Sequence, residues 1–125
     1  MAKIKTFEEL TSWQEARKLV NSIYEITNKE KFARDFELKS QIRRSSISVM
    51  ANIAEGFHRN SDKEFLRFLD YARASLAETV SHCYIALDQN YIDQEELLAI
   101  KGISSSVGKK INKFISYLKN SNQSH

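Results

Sequence analysis

The run QIRRSSISVMANIAEG, Gln41 to Gly56, sets a polar stripe into a segment that is apolar around most of its remaining circumference. At about 100° per residue of α-helix, Gln41, Arg44, Ser48, Asn52 and Glu55 fall on one face. Leu38, Ile42, Val49 and Ile53 fall on the next, and Ile47, Met50 and Ala54 on a third. One apolar stripe is enough to dock a surface helix on a core. The third face therefore asks for either a deep position in the fold or a partner chain.

With 125 residues the chain has room for one core and not comfortably for two. It contains no proline and only three glycines, Gly56, Gly102 and Gly108. Sheets need frequent turn chemistry, so this scarcity points to a few long helices with short connections. Caps and periodicity place four of them, at about 11–28, 35–58, 61–89 and 93–119. The first opens with Thr11 and Gln14 in capping-box spacing, stapled by Phe7 and Leu10, and turns Trp13, Ala16, Val20, Ile23 and Thr27 inward. The second starts at Asp35, with Glu37 in its first turn, and ends around Gly56, where glycine suits a helix terminus.

Ser61 and Glu64 open the third helix, which carries Phe65, Leu69, Ala72, Leu76, Val80, Cys83 and Leu87 as an inward stripe. Asp93 and Glu96 open the fourth, whose stripe is Leu97, Ile100, Val107, Ile111, Phe114 and Leu118 and whose end, NSNQSH, is expected to fray. Gly102 and the Ser104, Ser105, Ser106, Gly108 cluster mark either a bend or a place where another helix comes close. The expected fold is all-α, an antiparallel up-down-up-down four-helix bundle, with residues 1–125 forming one domain.

The function classes narrow by exclusion. Cys83 is the only cysteine, so neither an intramolecular disulfide nor a cysteine-based zinc cluster is available, and a reducing cytoplasm is the expected location. No stretch approaches the roughly 20 apolar residues of a membrane span, so no membrane partner is expected. Glu55 and His58 have the Glu-x-x-His spacing of di-iron bundles, but those sites need two such motifs and two further glutamates. Glu78 and His82 form a lone i, i+4 pair without further ligands. His82 and Cys83 are adjacent on a helix and point about 100° apart, which rules out a nucleophile–base pair.

Four-helix ribonucleases of the HEPN class place an arginine four to six residues before a histidine, and neither His58 nor His82 has one there. Phosphate-cradling glycine loops are absent as well. The expectation is no enzyme, no metal site and no cofactor.

Three segments carry a family resemblance: FEELTSWQEA near the start, QIRRSSISVMANIAEG, and SDKEFLRFLDYARASLAE after it. Together they resemble the bacterial ribosomal RNA intervening-sequence proteins, over roughly residues 7 to 118, with NIAEG after QIRR the most specific element. The resemblance implies a four-helix bundle in a ring-like homo-oligomer, a pentamer among the forms, and brings no catalytic residues. Its shared polar positions are Arg43, Arg44, Ser48, Asn52, Glu55, Ser75 and Glu78. Ala74 stands where the family commonly has glycine, and Ser46 where it has alanine.

Residue chemistry agrees with a structural network of Arg44, Ser48, Asn52 and Glu55 facing Ser75 and Glu78, since buried polar groups persist only when hydrogen-bonded. Nucleic acid is the more consequential partner. The formal charge, 19 basic against 16 acidic, is only +3, so its distribution must carry the argument. Five lysines and no acids lie between Lys101 and Lys119. Lys109, Lys110 and Lys113 cluster there beside Tyr117, and Lys39, Arg43, Arg44 and Arg59 form a second basic set. A helix dipole alone also favours acids at the start and lysines at the end of a helix. Two readings follow: an oligomeric RNA- or DNA-associated module, or a protein–protein scaffold without nucleic-acid affinity.

Overall fold

The structure, a computed structural model, describes residues 4–123, with side chains as far as Asn120. Among these residues there are no strands. A 3-10 turn at Phe7–Glu9 is followed by five α-helices: α1 Thr11–Thr27, α2 Glu30–Arg34, α3 Phe36–Phe57, α4 Asp62–Asp88 and α5 Gln94–Gln123. Four are long, as their periodicity requires. The fifth, α2, lies in what reads in sequence as a plain connection. Five residues are too few to show a period, and what holds α2 is Phe32, fully buried and stacked on Tyr91 with ring centroids 5.1 Å apart. Tyr91 in turn donates its hydroxyl to Asp35 Oδ2 at 2.9 Å, closing this end of the core.

Three of the four expected starts form as the sequence indicates. Asp35 Oδ1 accepts the Leu38 N–H, Ser61 Oγ accepts the Glu64 N–H, and Asp93 and Glu96 cap one another reciprocally. The start of α1 differs. The capping box sits five residues earlier, where Glu9 accepts from the Thr6 N–H and hydroxyl and from the Lys5 N–H. Leu10, not a polar residue, occupies the cap of α1, and no side chain bonds its first turn. Gln14 reaches back to the Glu8 carbonyl instead. The staple does form: Leu10 is buried, and Phe7 meets Trp13 edge-to-face at 5.2 Å.

The long helices contact one another around a cycle, α3 on α4, α4 on α5, α5 on α1 and α1 on α3. The inward stripe of α1 is Ala16, Leu19, Ile23, Ile26 and Thr27, with Trp13 and Val20 only half-buried at its margin. Phe65, Phe68, Leu69, Ala72, Leu76, Thr79, Cys83 and Ala86 are buried on α4, and the expected Val80 and Leu87 lie at its edges. Every expected apolar position of α5, from Leu97 to Leu118, is buried.

Glycine has two different uses here. Gly56 lies within α3, not at a left-handed terminus, and has no positive φ. A Cβ there would stand 2.8 Å from Phe65 Cδ1 and 2.9 Å from Phe68 Cβ, so the glycine lets the corner between α3 and α4 close. By contrast, α5 runs unbroken through Gly102, Ser104, Ser105, Ser106 and Gly108, which removes the bend. Gly108 sits at ordinary contact distance from Leu76, and Gly102 faces open space. Of the tail expected to fray, Asn120 to Gln123 are helical, while Ser124 and His125 lie outside the described residues. No helix among the described residues is long and apolar enough to cross a membrane.

Candidate interaction surfaces

The polar stripe of α3 meets α4 along a hydroxyl seam. Ser48 and Ser75 share a hydrogen bond at 2.9 Å, and Asn52 Nδ2 donates to the Ser48 carbonyl at 2.9 Å and hydroxyl at 3.0 Å. One turn away, buried Ser45 and Thr79 lie 2.8 Å apart, with Ser45 also placed to donate to the Ile42 carbonyl and Thr79 to the Ser75 carbonyl. With one proton each, the two hydroxyls fill two of these three contacts at a time, one bonding the other while its partner donates to a helix carbonyl. Short side chains suit the seam because they satisfy each other without holding the helices apart.

Ser48, Asn52 and Ser75 are therefore where the sequence reading puts them. The charged members are not joined to them. Arg44 and Glu55 are exposed and make no ion pair among the described residues, and Glu78 lies 3.5 Å from His82 Nε2. Arg44 and Glu78 only line the same shallow cleft beside Ser45 and Ser48. A long charged pair at this seam would have to be desolvated, and the solvent-facing edge spares it that cost. Ser45 and Thr79 were missed because a serine and a threonine inside apolar stripes read as neutral fillers.

The third face of α3 divides. Met50 packs against the core and Ala54 is half-buried, but Ile47 remains 42% exposed. On the same outward side Phe36 is 75% exposed, with Lys39 above its ring at 5.8 Å. Phe36, Lys39, Ser40, Arg43, Arg44 and Ile47 line a shallow groove. Among the described residues, none covers Phe36 and Ile47.

The basic residues separate by role. Arg43 is a structural cation: its Nε donates to Thr27 Oγ1 at 2.8 Å, a terminal nitrogen donates to Asn28 Oδ1 at 3.0 Å, and the guanidinium lies 4.1 Å from the Tyr24 ring centroid. These contacts dock the end of α1 on α3. Arg59 rests over Phe68 at 4.3 Å. Lys109 and Lys113 are exposed with no carboxylate at ion-pair distance among the described residues, whereas Lys110 is half-buried and contributes to the field that lowers the Glu15 pKa. The chief causes of that lowering are hydrogen bonds from Lys18 and Ser106. Since α3 and α5 each pack on α1 and α4, Lys39, Arg43 and Arg44 occupy the helix opposite the lysines in the cycle, whereas Arg59, in the connection after α3, lines a cleft with Phe114, Tyr117 and Leu118 of α5.

Cys83 is fully buried, and desolvation pushes its thiol up to about 12. Among the described residues no three His, Cys, Asp or Glu side chains gather where they could hold a metal ion.

An all-helical chain with a hydroxyl seam in its most extensively packed helix pair and a lysine-rich outer helix defines the class as an α-helical module. It belongs to the family of 23S rRNA-intervening sequence proteins, whose model matches residues 8–113. A crystal structure of a protein of unknown function from the S23 ribosomal protein family, from Bacteroides thetaiotaomicron VPI-5482, is similar in fold. It shares 24% identity and a TM-score of 0.76, over 84% of this chain and 98% of that one. No curated protein matches.

Proposed function

We propose that the protein is a non-enzymatic, self-associating module of the cytoplasm that binds RNA or DNA through the outer face of α5. The observation that carries this reading is the lysine distribution. Lys109 and Lys113 stand exposed without carboxylate partners among the described residues, in a 19-residue stretch from Lys101 to Lys119 that contains no acid. Phosphate contacts need such unpaired cations, because a lysine already neutralised by a neighbour releases fewer counterions on binding. Membership of a family named for ribosomal RNA intervening sequences supports the same direction.

In this reading the four long helices run up-down-up-down. The seam supports that arrangement, since a step forward from Ser45 to Ser48 on α3 corresponds to a step back from Thr79 to Ser75 on α4. The exposed Phe36 and Ile47 of α3 are the contact between copies in a ring-like homo-oligomer, a pentamer by family resemblance. Repetition around a ring would multiply the α5 patch.

The test is a salt series of RNA and duplex-DNA binding by the nuclease-treated protein and by the Lys109→Glu, Lys110→Glu, Lys113→Glu triple variant. Saturable binding with a steep salt slope, lost in the variant, is expected. Absence of binding at low salt would refute the nucleic-acid reading and leave the second one, a protein–protein scaffold, which the uncovered apolar face of α3 favours. Sedimentation of the wild type against Ile47→Asp tests the shared premise. A wild type that is monomeric at micromolar concentration would overturn it.

A further inference from the structure

Beside the α5 patch lies a recess of about 550 Å³ between the start of α1 and the second half of α5. Four observations meet in it. The first turn of α1, a 17-residue helix, presents N–H groups that no side chain caps, and such groups carry the positive end of the helix dipole. Lys110 and Lys113 line the same recess. Ser12, also lining it, is 2% exposed, and its hydroxyl is buried with no hydrogen-bond partner. Finally, Leu10, Phe114 and Tyr117 give the recess an apolar and aromatic wall.

We infer that this recess is a binding site for a small phosphate monoester carrying an aromatic or apolar group. The headgroup lies at the α1 N-terminus, where backbone N–H groups, the Ser12 hydroxyl and two ammonium groups supply donors and positive charge. An aromatic substituent packs on Phe114 and Tyr117. Glu9 also lines the recess and would oppose an anion, but its carboxylate is already turned to the Thr6 and Lys5 N–H groups and the Thr6 hydroxyl. The volume falls within the range of roughly 300–1,000 Å³ usual for small-molecule sites. The inference goes beyond nucleic-acid binding and does not need it, because Lys109 serves the outer patch and is not part of the recess.

Adenosine 5′-monophosphate, adenosine and inorganic phosphate are suitable probes, titrated into the full-length protein and followed by amide NMR. The monophosphate is expected to shift Thr11, Ser12 and Trp13 saturably, more tightly than either half-ligand. Lys113→Gln, at an exposed position that should not affect folding, should weaken it about tenfold or more, the loss of one charge-assisted hydrogen bond. Lys109→Gln should leave it unchanged while weakening RNA. Shifts confined to the lysines, equal loss in Lys109→Gln and Lys113→Gln, or a response only to a 5′-phosphorylated oligonucleotide would each overturn the small-molecule site. Failure of RNA binding alone would leave the site standing.

Discussion

Replacing Gly56 with alanine sets two effects against each other, and their sizes decide the sign. An alanine in a helix interior is favoured over glycine by about 1 kcal/mol. The added Cβ, however, would lie 2.8 Å from Phe65 Cδ1 and 2.9 Å from Phe68 Cβ, where carbon atoms settle at about 3.5–4.0 Å. Phe68 Cβ is the root of its side chain and cannot retreat without moving the backbone of α4. Overpacking of this kind costs about 1–3 kcal/mol, more where the backbone must shift. The expected outcome is a net loss of about 1–2 kcal/mol, with the strain at the α3–α4 corner.

Gly102 is the internal control. It lies in α5 with nothing within 4 Å of an added Cβ, so Gly102→Ala should gain about 0.5–1 kcal/mol. Urea unfolding followed by circular dichroism, at one fixed protein concentration because self-association would shift the midpoint, should separate the two variants by about 2 kcal/mol. A Gly56→Ala protein as stable as the wild type would show that the corner relaxes and that glycine is not there for closeness of approach.

Thr79→Val removes one side of the buried hydroxyl pair while Ser45 keeps the Ile42 carbonyl, so a loss of about 1 kcal/mol is expected. Adding Ser45→Ala should cost less than the sum of the single changes, and strict additivity in a double-mutant cycle would mean the pair is not coupled. Cys83 should resist thiol reagents in the folded protein at pH 8 and react only on unfolding, so fast labelling under native conditions would contradict its burial. Its thiol pKa is raised on folding from 9.0 to about 12 by desolvation. The neutral form is therefore favoured in the native state, and the contribution to stability is full below pH 9 and declines as pH rises from 9 toward 12. Cys83→Ala should flatten that alkaline decline, and an unchanged slope would assign it to other groups.

Much of the architecture was legible because it depends on local rules. Helix-period stripes, the absence of proline and the caps at Asp35, Ser61 and Asp93 follow from residues within one or two turns of each other. Two local features depart from these rules, one through a competing neighbour and one through a distant residue. The Thr11–Gln14 spacing suggested a capping box, but Glu9 had already formed one with Thr6, leaving Leu10 to start α1. Helix α2 escaped notice because Phe32 is held by Tyr91, which comes from the far side of α4 in sequence.

The candidate surfaces were legible only in part. The lysines of α5 are visible as a run of like charge, and Ser48, Asn52 and Ser75 as a polar stripe. That Arg43 is tied down by Tyr24, Thr27 and Asn28, while Lys109 and Lys113 have no carboxylate at ion-pair distance among the described residues, depends on which helices are neighbours. The same holds for Ser12, whose buried and unpartnered hydroxyl follows from where α5 crosses the start of α1.

By itself, the sequence determined that the chain would be helical, where its long helices would lie and which stripes would seek a core, because periodicity and capping act over a few residues. Tertiary structure alone decided that Gly56 serves a close approach, that Ser45 and Thr79 complete the seam, that Phe36 and Ile47 remain uncovered, and that two lysines and an uncapped helix start share one recess. Each of these depends on the distance between residues far apart in the chain, and that distance is set only when the helices pack.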